Sequence, residues 1–441
     1  MSDNVKIMSY TDFGAPVLNG TSWGRMVALL RACLVSGYNK RTDVISITIK
    51  DANTIVVNFT TPHMYNAEQT IEINGTSIPD LTGEFVIRSV TSLSITCDLY
   101  RPTQLTGDIL ALSEVTTIAS SLGMIEEFRE NDKSVFRTNE PQKNCFLVID
   151  DNVPSSPSLP YKSPLVYMTD NMPDINTDGK LIVPYDIANP TYHRNNSYGT
   201  SKNGIWSFPS YIGVLRSNLP PTPELEYTVP WYIIGNDKFF YFYAIYSNTG
   251  SAPVYRTHSF GRFKSFKEND NHNYMLIGSC TGNKGSGTTS VNTSTGFLST
   301  TATTTASLVN HKNEIYQMSV GILGNYNGRS TCTCYFSPTA SAFETSSNIS
   351  GNGSSFPSFY SSKLLTSRVN IVEIPGNYNR GLMPGLLWLS HDIPYPNASI
   401  TRHRYNNKIT RLFHLIYPAG MNGYSTPFKY SISLNNTDWD L

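Results

Sequence analysis

The chain has 441 residues, with 33 Lys and Arg balanced by 33 Asp and Glu, so its formal net charge is zero. With 39% hydrophobic and 12% aromatic residues it is not a disordered chain, and it is long enough for about two to four domains with their own cores. Only 15% of residues are charged, and there is no basic run. This excludes nucleic-acid binding as the main task, because phosphate neutralisation needs a Lys/Arg excess on one face.

A neutral surface rich in Asn, Ser, Thr and Tyr lacks the self-repulsion that keeps crowded monomers apart, which suits a subunit packed against neighbours. A codon bias toward Asn and Tyr would enrich the same residues, so composition alone leaves both readings open. The N-terminal residues show no apolar run of signal-peptide length, and no stretch is long enough to span a bilayer, so cytoplasmic synthesis is expected. The six cysteines (Cys33, Cys97, Cys145, Cys280, Cys332, Cys334) are too scattered for a disulfide framework. Cys332 and Cys334 share a strand face but have no second pair or nearby histidine to complete a zinc site.

The first predicted element is a helix over 22–36. Thr21 and Ser22 are N-cap candidates, Met26, Leu29, Leu30, Cys33 and Leu34 recur at helical spacing, and Gly37 supplies the stop. With the short extended segment around Pro16, it makes an N-terminal arm and helix, 1–41. From residue 43 the period becomes two. Runs at 44–49, 54–59, 70–73, 84–88 and 93–97 predict a small antiparallel barrel or sandwich within 42–100. Residues 101–220 read as a β-rich domain with proline-rich loops at 154–160 and 219–223 and strands at 143–149 and 164–168. Residues 221–441 read as a C-terminal β-rich domain. Its strands are expected at 231–234 and 238–246, joined by Gly235-Asn236-Asp237, and at 368–374, 411–416 and 429–434. The Gly/Ser/Thr-rich tract 281–307 reads as a flexible insertion, and 346–362 is similarly poor in complexity. The fold class is therefore mainly β, with one N-terminal helix, the small module, and larger sandwich-like regions with long loops.

Little in the sequence invites chemistry. Asp174, Asn176 and Asp178 with Gly179 resemble the opening of a calcium loop, but the twelfth position is Tyr185 and no helix flanks the segment. A plain Asx-rich turn is the competing reading. Asp150 and Asp151 are adjacent on a strand and so point to opposite faces. No nucleophile elbow, zinc-protease motif or phosphate-cradling glycine run is present, so no catalytic residue and no cofactor are expected. The basic cluster Arg402-His403-Arg404 with Lys408 and Arg411 reads as a solvated strand face. Trp231 and the run Phe239–Tyr243 alternate so that Phe240 and Phe242 share one face and Tyr241 and Tyr243 the other. Such a strand is a core strand buried on both faces, a strand covered by a neighbouring subunit, or a sugar-binding platform.

A family resemblance rests on a series of motifs in order. Residues 10–21, Tyr-Thr-Asp-Phe-Gly-Ala-Pro-Val-Leu-Asn-Gly-Thr, followed by a helix ending at Gly37, look like the opening of a family of phage virion structural proteins. Residues 43–99 are similar to a small β-module of phage tail proteins. The module's usual His-Gly is here Pro62-His63-Met64, and Asn74-Gly75 and Thr82-Gly83-Glu84-Phe85 follow. Leu122-Gly123, residues 133–137 and 145–151, 167–170, Trp231 with 239–241, 260–266 and 380–385 continue the order over most of the chain. The resemblance implies a non-enzymatic structural component set among tail and baseplate proteins. Its expected partners are other virion proteins and copies of itself, with neither nucleic acid nor membrane insertion, and it is expected in the virion tail after synthesis in the host bacterial cytoplasm. Residues 7–37 are the expected anchoring end, with Asp12, Pro16 and Trp23 fixing its exit from the first domain and Trp231, Phe240 and Phe242 as further interface residues. The competing reading is that the helix caps the module's core. The alternative functions are a receptor-binding tail fibre or tip protein recognising a host surface glycan, a head–tail collar or capsid decoration protein, and a glycan depolymerase. The depolymerase would need two carboxylates facing across a groove.

Overall fold

The computed structural model describes residues 5–18, 23–99, 103–110, 114–152, 164–180, 182–183, 205–207, 229–247, 254–277, 279–281, 316–322, 332–338, 366–374, 378–389, 396–405, 408–417 and 428–439. The cap candidates Thr21 and Ser22, the proline-rich loops, the 281–307 tract beyond Thr281 and the 346–362 tract lie outside them. The fold is mainly β, with one short helix and three antiparallel sheets among the described residues.

The N-terminal module is an eight-stranded sheet. The five strands expected from the period-two runs form as Val44–Asp51, Thr54–Phe59, Thr70–Asn74, Gly83–Val90 and Ser94–Asp98. They are joined by Tyr38–Arg41, Gly107–Leu110 and Thr116–Ala119, so the sheet reaches beyond 42–100 on both sides. The two ends of its strand order, Tyr38–Arg41 and Gly107–Leu110, do not pair with each other, so the sheet stays open and is not a closed barrel. One face carries Ile47, Ile55, Val57, Ile71, Ile73, Ile87 and Ile95, all buried. This single covered face is what the alternation encodes.

A second, seven-stranded sheet centres on Lys133–Arg137, Phe146–Asp150 and Leu165–Thr169. Phe136, Leu147, Ile149, Val166 and Met168 face the main core, while Val135, Phe146, Val148, Leu165 and Tyr167 form a core of their own on the opposite face. Burial on both faces explains why Phe146–Ile149 is continuously apolar. Ser279–Thr281 returns to this sheet through Ile205–Ser207.

The third sheet has thirteen strands and starts with the chain's first described segment. Lys6–Ser9 pairs antiparallel with Trp231–Gly235, which leads into Phe239–Ser247, Val254–Arg262 and Tyr274–Ile277 and on to the C-terminal strands. Phe240, Phe242 and Trp231 face the main core, and Phe239, Tyr241 and Tyr243 face a second core with Phe413, Ile432 and Trp439.

The helix runs over Arg25–Arg31 and continues as one wide π-helical turn, Ala32–Ser36. Met26, Val27, Leu29, Leu30, Cys33 and Leu34 are buried in the main core, which also contains residues of all three sheets. Gly37 ends it at φ 71, and a Cβ there would stand 2.4 Å from the Ala119 carbonyl oxygen, so only glycine fits. The N-terminal cap comes from far away. Asp151 Oδ2 accepts the Met26 N–H at 2.9 Å, and the Asp151 carbonyl accepts the Gly24 N–H at 3.2 Å. The helix therefore starts at Arg25, three residues later than the sequence spacing predicts.

Candidate interaction surface

The arm that precedes the helix is tied down rather than projecting. Asp12 is buried, and its Oδ2 accepts the Ser9 N–H at 2.9 Å and the Tyr38 hydroxyl at 2.7 Å. Its Oδ1 accepts Ser9 Oγ at 3.2 Å and Asn66 Nδ2 at 2.9 Å. The Pro16 carbonyl accepts the Trp231 indole N–H at 3.2 Å, and Trp23 lies half-buried in the turn before the helix. Lys6, also buried, pairs with Glu84 of the module and donates to Ser120 Oγ at 3.1 Å. Met8, Leu18 and the buried face of the helix thus belong to the main core of this chain.

The aromatic strand resolves in the same direction. Trp231, Phe240 and Phe242 are fully buried among residues of this chain, as are Phe239, Tyr241 and Tyr243 on the other face. Asp12, Trp231, Phe240 and Phe242 are therefore internal packing residues in this structure, not an open subunit face, and the run offers no exposed platform for a sugar. Apolar area of this size is worth more inside the chain than at any surface.

The calcium-loop residues form an Asx turn. Asp174 Oδ1 accepts the Asn176 N–H at 2.8 Å and its Oδ2 accepts Thr177 Oγ1 at 2.8 Å, while Asp178 Oδ1 accepts the Tyr167 hydroxyl at 2.9 Å. No group of three or more His, Cys, Asp and Glu able to hold a metal occurs among the described residues. Other half-buried carboxylates are committed to cations. Glu126 pairs with Arg31 at 2.9 Å, Glu127 with Arg137 at 2.7 Å, Glu140 with Arg262 at 2.7 Å, and buried Asp270 with buried Arg380 at 2.7 Å. Within the basic cluster, Arg402 and Arg411 both grip Glu68 of the module.

Among the described residues, exposed large apolar side chains occur at one end of the N-terminal module, on the arm, and at Phe266. Ile45, Met64, Val90 and Leu93 are each more than two-fifths exposed at that end of the module, and Phe13 and Val17 are exposed on the arm beside it. Hydrogen bonds bring these segments together. Leu93 O accepts the Phe59 N–H at 2.8 Å, Ser92 O accepts the His63 N–H at 3.3 Å, and Asn39 Nδ2 donates to His63 O at 3.2 Å. Asn66, on the same loop, reaches Asp12 of the arm.

Met64 occupies this end in an unfavourable backbone. Its φ is 62, the left-handed region that glycine adopts freely and other residues at a cost of about 1 kcal/mol or more. The structure gives this methionine a glycine-like conformation. Neighbours on both sides enforce it. His63 Nδ1 accepts the Tyr65 N–H at 2.9 Å while its Nε2 lies 2.8 Å from Thr91 O, so Nε2 carries the proton. The His63 and Tyr65 rings stack with centroids 5.7 Å apart, and the Tyr65 hydroxyl donates to Asn39 O at 2.8 Å. Burial lowers the His63 pKa, which keeps the ring neutral and Nδ1 able to accept. At the start of the loop, Asp43 receives Arg41 through two bonds of 2.9 and 2.8 Å and Thr61 Oγ1 at 2.7 Å, which holds its carboxyl well below the usual range. An exposed apolar side chain held in a strained backbone by well-anchored neighbours marks a candidate functional surface. Nothing in the local sequence pattern marks Val17, Ile45, Val90 and Leu93 as surface residues. The signal that could have found this end was the substituted glycine at Met64 flanked by two turn-borne apolar residues.

No family model and no curated protein matches the sequence. Among solved structures, the phage phi92 endosialidase matches with a TM-score of 0.16 and 9% identity, over 90% of this chain. The match covers 51% of that protein, so this chain spans about half its length. A likeness at that level establishes neither fold nor activity, and the functional reading rests on this chain's own residues. No helix among the described residues is long and apolar enough to cross a membrane.

Proposed function

We propose that this chain is a structural component of a bacteriophage virion, set in the tail or baseplate, which acts through subunit interfaces and without catalysis. The observation that carries the proposal is Met64, a large apolar side chain 51% exposed and held at a φ of 62 by a rigid loop. Together with Leu93, Val90, Ile45 and Phe13 it forms an apolar end on a chain of zero net charge. Exposed apolar residues gathered at one end of a chain of zero net charge suit the centre of a protein interface. The ordered resemblance of the motifs to phage virion structural proteins supplies the setting.

The test pairs two variants with particle incorporation as the readout. Met64→Gly should raise stability, by about 1 kcal/mol from the relieved backbone, and yet reduce incorporation. The double variant Met64→Glu/Leu93→Glu should fold normally, because both positions are exposed, and be excluded from particles. Normal incorporation of the folded double variant overturns the interface reading. Absence of the wild-type chain from purified particles overturns the virion assignment.

A further inference from the structure

The joint between the helix and the seven-stranded sheet contains a buried carboxylate with one oxygen unaccounted for. Asp151 is 1% exposed. Its Oδ2 takes the Met26 N–H, but its Oδ1 has no hydrogen-bond partner. A carboxylate oxygen buried without a donor is among the costliest groups a fold can hold, so its presence requires an explanation. Asp132 supplies one. Its carbonyl accepts the Asp151 N–H at 2.8 Å, and its carboxylate lies against Gly24, where a Cβ would stand 2.5 Å from Oδ1 and 3.0 Å from Oδ2. Gly24 is the residue whose N–H is bound by the Asp151 carbonyl. Asp132 and Asp151 are thus backbone-paired neighbours that both border the start of one helix.

The charges around Asp151 do not favour a second anion. Asp132 and, more weakly, Asp150 both act on it unfavourably. Lys133 on the adjoining strand sends its ammonium to Ile175 O at 2.6 Å, and Arg25 on the helix is exposed. A divalent cation fits poorly. The carbonyls of Asp132 and Asp151 and Asp151 Oδ2 already accept N–H groups, and the helix presents its positive end.

We propose that Asp151 and Asp132 hold a single proton between them at neutral pH, with the Asp151 Oδ1 hydroxyl donating to the Asp132 carboxylate, so that the joint between helix and sheet is proton-linked. The bound proton turns the orphaned oxygen into a donor and removes the charge from the buried member of a like-charged pair. In agreement, burial raises the Asp151 pKa to about 7, against the opposing pull of the helix amides. The folded-state pKa lies above the unfolded one. The stabilisation is therefore complete at acid pH and is lost between about pH 4, where the unfolded carboxyl ionises, and about pH 7.

The test is thermal unfolding of the full chain across this range, with infrared detection of a neutral carboxyl group in the folded state. Asp151→Asn keeps an oxygen for Met26, offers Asp132 a permanent N–H and cannot titrate. It should unfold at a higher temperature than wild type near neutral pH, lack the wild-type decline on this limb and lose the neutral-carboxyl band. Asp132→Asn should retain a folded chain in which the band disappears at a lower pH than in wild type. A wild-type chain without the band at neutral pH, or an Asp151→Asn chain with an unchanged pH slope, overturns the proposal. A calcium-dependent rise in wild-type stability that Asp151→Asn abolishes overturns it in favour of a cation.

Discussion

Glu68 and Arg411 stand 343 residues apart in the chain and meet in a salt bridge of 2.9 Å, with Arg411 also donating to the Glu68 carbonyl at 3.3 Å. Arg402 takes the other carboxylate oxygen at 2.6 Å. The C-terminal hairpin Ser399–Tyr405/Lys408–Tyr417 is thereby clamped onto a loop of the N-terminal module through one residue, itself held at a φ of 71. Glu68 and Arg411 are mostly buried, at 16% and 12% exposed. Removing one partner leaves the other charge poorly solvated.

Glu68→Gln should therefore destabilise the chain by about 1–3 kcal/mol, between the values for surface and for buried pairs. Arg411→Met should cost less, because the carboxylate retains Arg402. A double-mutant cycle by chemical denaturation measures the coupling between the two. Additive effects would show that the clamp contributes nothing.

Deleting residues 1–37 should leave no folded remainder. The deletion removes Met8, Leu18, Met26, Val27, Leu29, Leu30, Cys33 and Leu34 from the main core, together with the edge strand Lys6–Ser9. At about 1.5–3 kcal/mol for each large side chain, the loss exceeds the roughly 5–15 kcal/mol that holds a typical domain together. An anchoring end that merely projected from the chain could be removed without unfolding it, but the core residues of this segment cannot. Circular dichroism and size-exclusion of the truncated chain check this, and a cooperative unfolding transition would contradict it.

The legibility of the sequence follows from how each element is buried. The runs at 44–49 and 54–59 were readable because their sheet has one covered face, so the side-chain period of two appears directly in the residues. Lys6–Ser9 was not, because Lys-Ile-Met-Ser becomes a strand only by pairing with Trp231–Gly235, and its lysine is buried by ion pairing with Glu84. The helix body was legible from Met26 to Leu34, but its start was set by Asp151, a contact across 125 residues that no local pattern announces. At the candidate surface the missing glycine at Met64 was visible. That Leu93 and Val90 face outward beside it depends on hairpin geometry, which short alternating runs do not specify.

Gly385→Ala should destabilise the C-terminal part of the chain. Gly385 has a φ of 61, and a Cβ would stand 2.1 Å from Trp439 Nε1. Trp439 is buried and donates that N–H to Ser433 O at 2.6 Å, so it cannot retreat without losing the bond. Backbone strain and displaced indole together should cost about 2–4 kcal/mol. Trp439→Phe in the same background should recover part of the loss, and denaturation midpoints of the single and double variants decide it.

His414 and His63 should each contribute a loss of stability on acidification through the range where free histidine titrates, opposite in sign to the Asp151 contribution. His414 is buried, with Nδ1 2.7 Å from Ser431 Oγ and Nε2 2.6 Å from Thr401 Oγ1, and desolvation takes its pKa down to about 4. Burial lowers that of His63 as well. For both, the folded value lies below the unfolded one of about 6.5. Their contribution is therefore present above that pH and is lost below it, down to about pH 4 for His414. His414→Asn should be less stable than wild type at neutral pH and show a shallower decline on acidification. Unfolding midpoints at a series of pH values test this, and a parallel decline in the variant would assign the acid sensitivity to other groups.

Cys33, Cys97 and Cys145 should resist thiol reagents until the chain unfolds. All three are buried free thiols, and desolvation raises each pKa well above its ordinary value. The reactive species is the thiolate, which these sites suppress while also excluding reagent. Labelling native chain with a maleimide and mapping the adducts by mass spectrometry should find none at these positions. In denaturant all three should label. The three lie in the main core that the helix and all three sheets share. The onset of their labelling along a denaturation curve therefore reports whether the core opens as one unit, and early labelling of Cys97 alone would mean that the N-terminal module unfolds separately from the sheets packed against it.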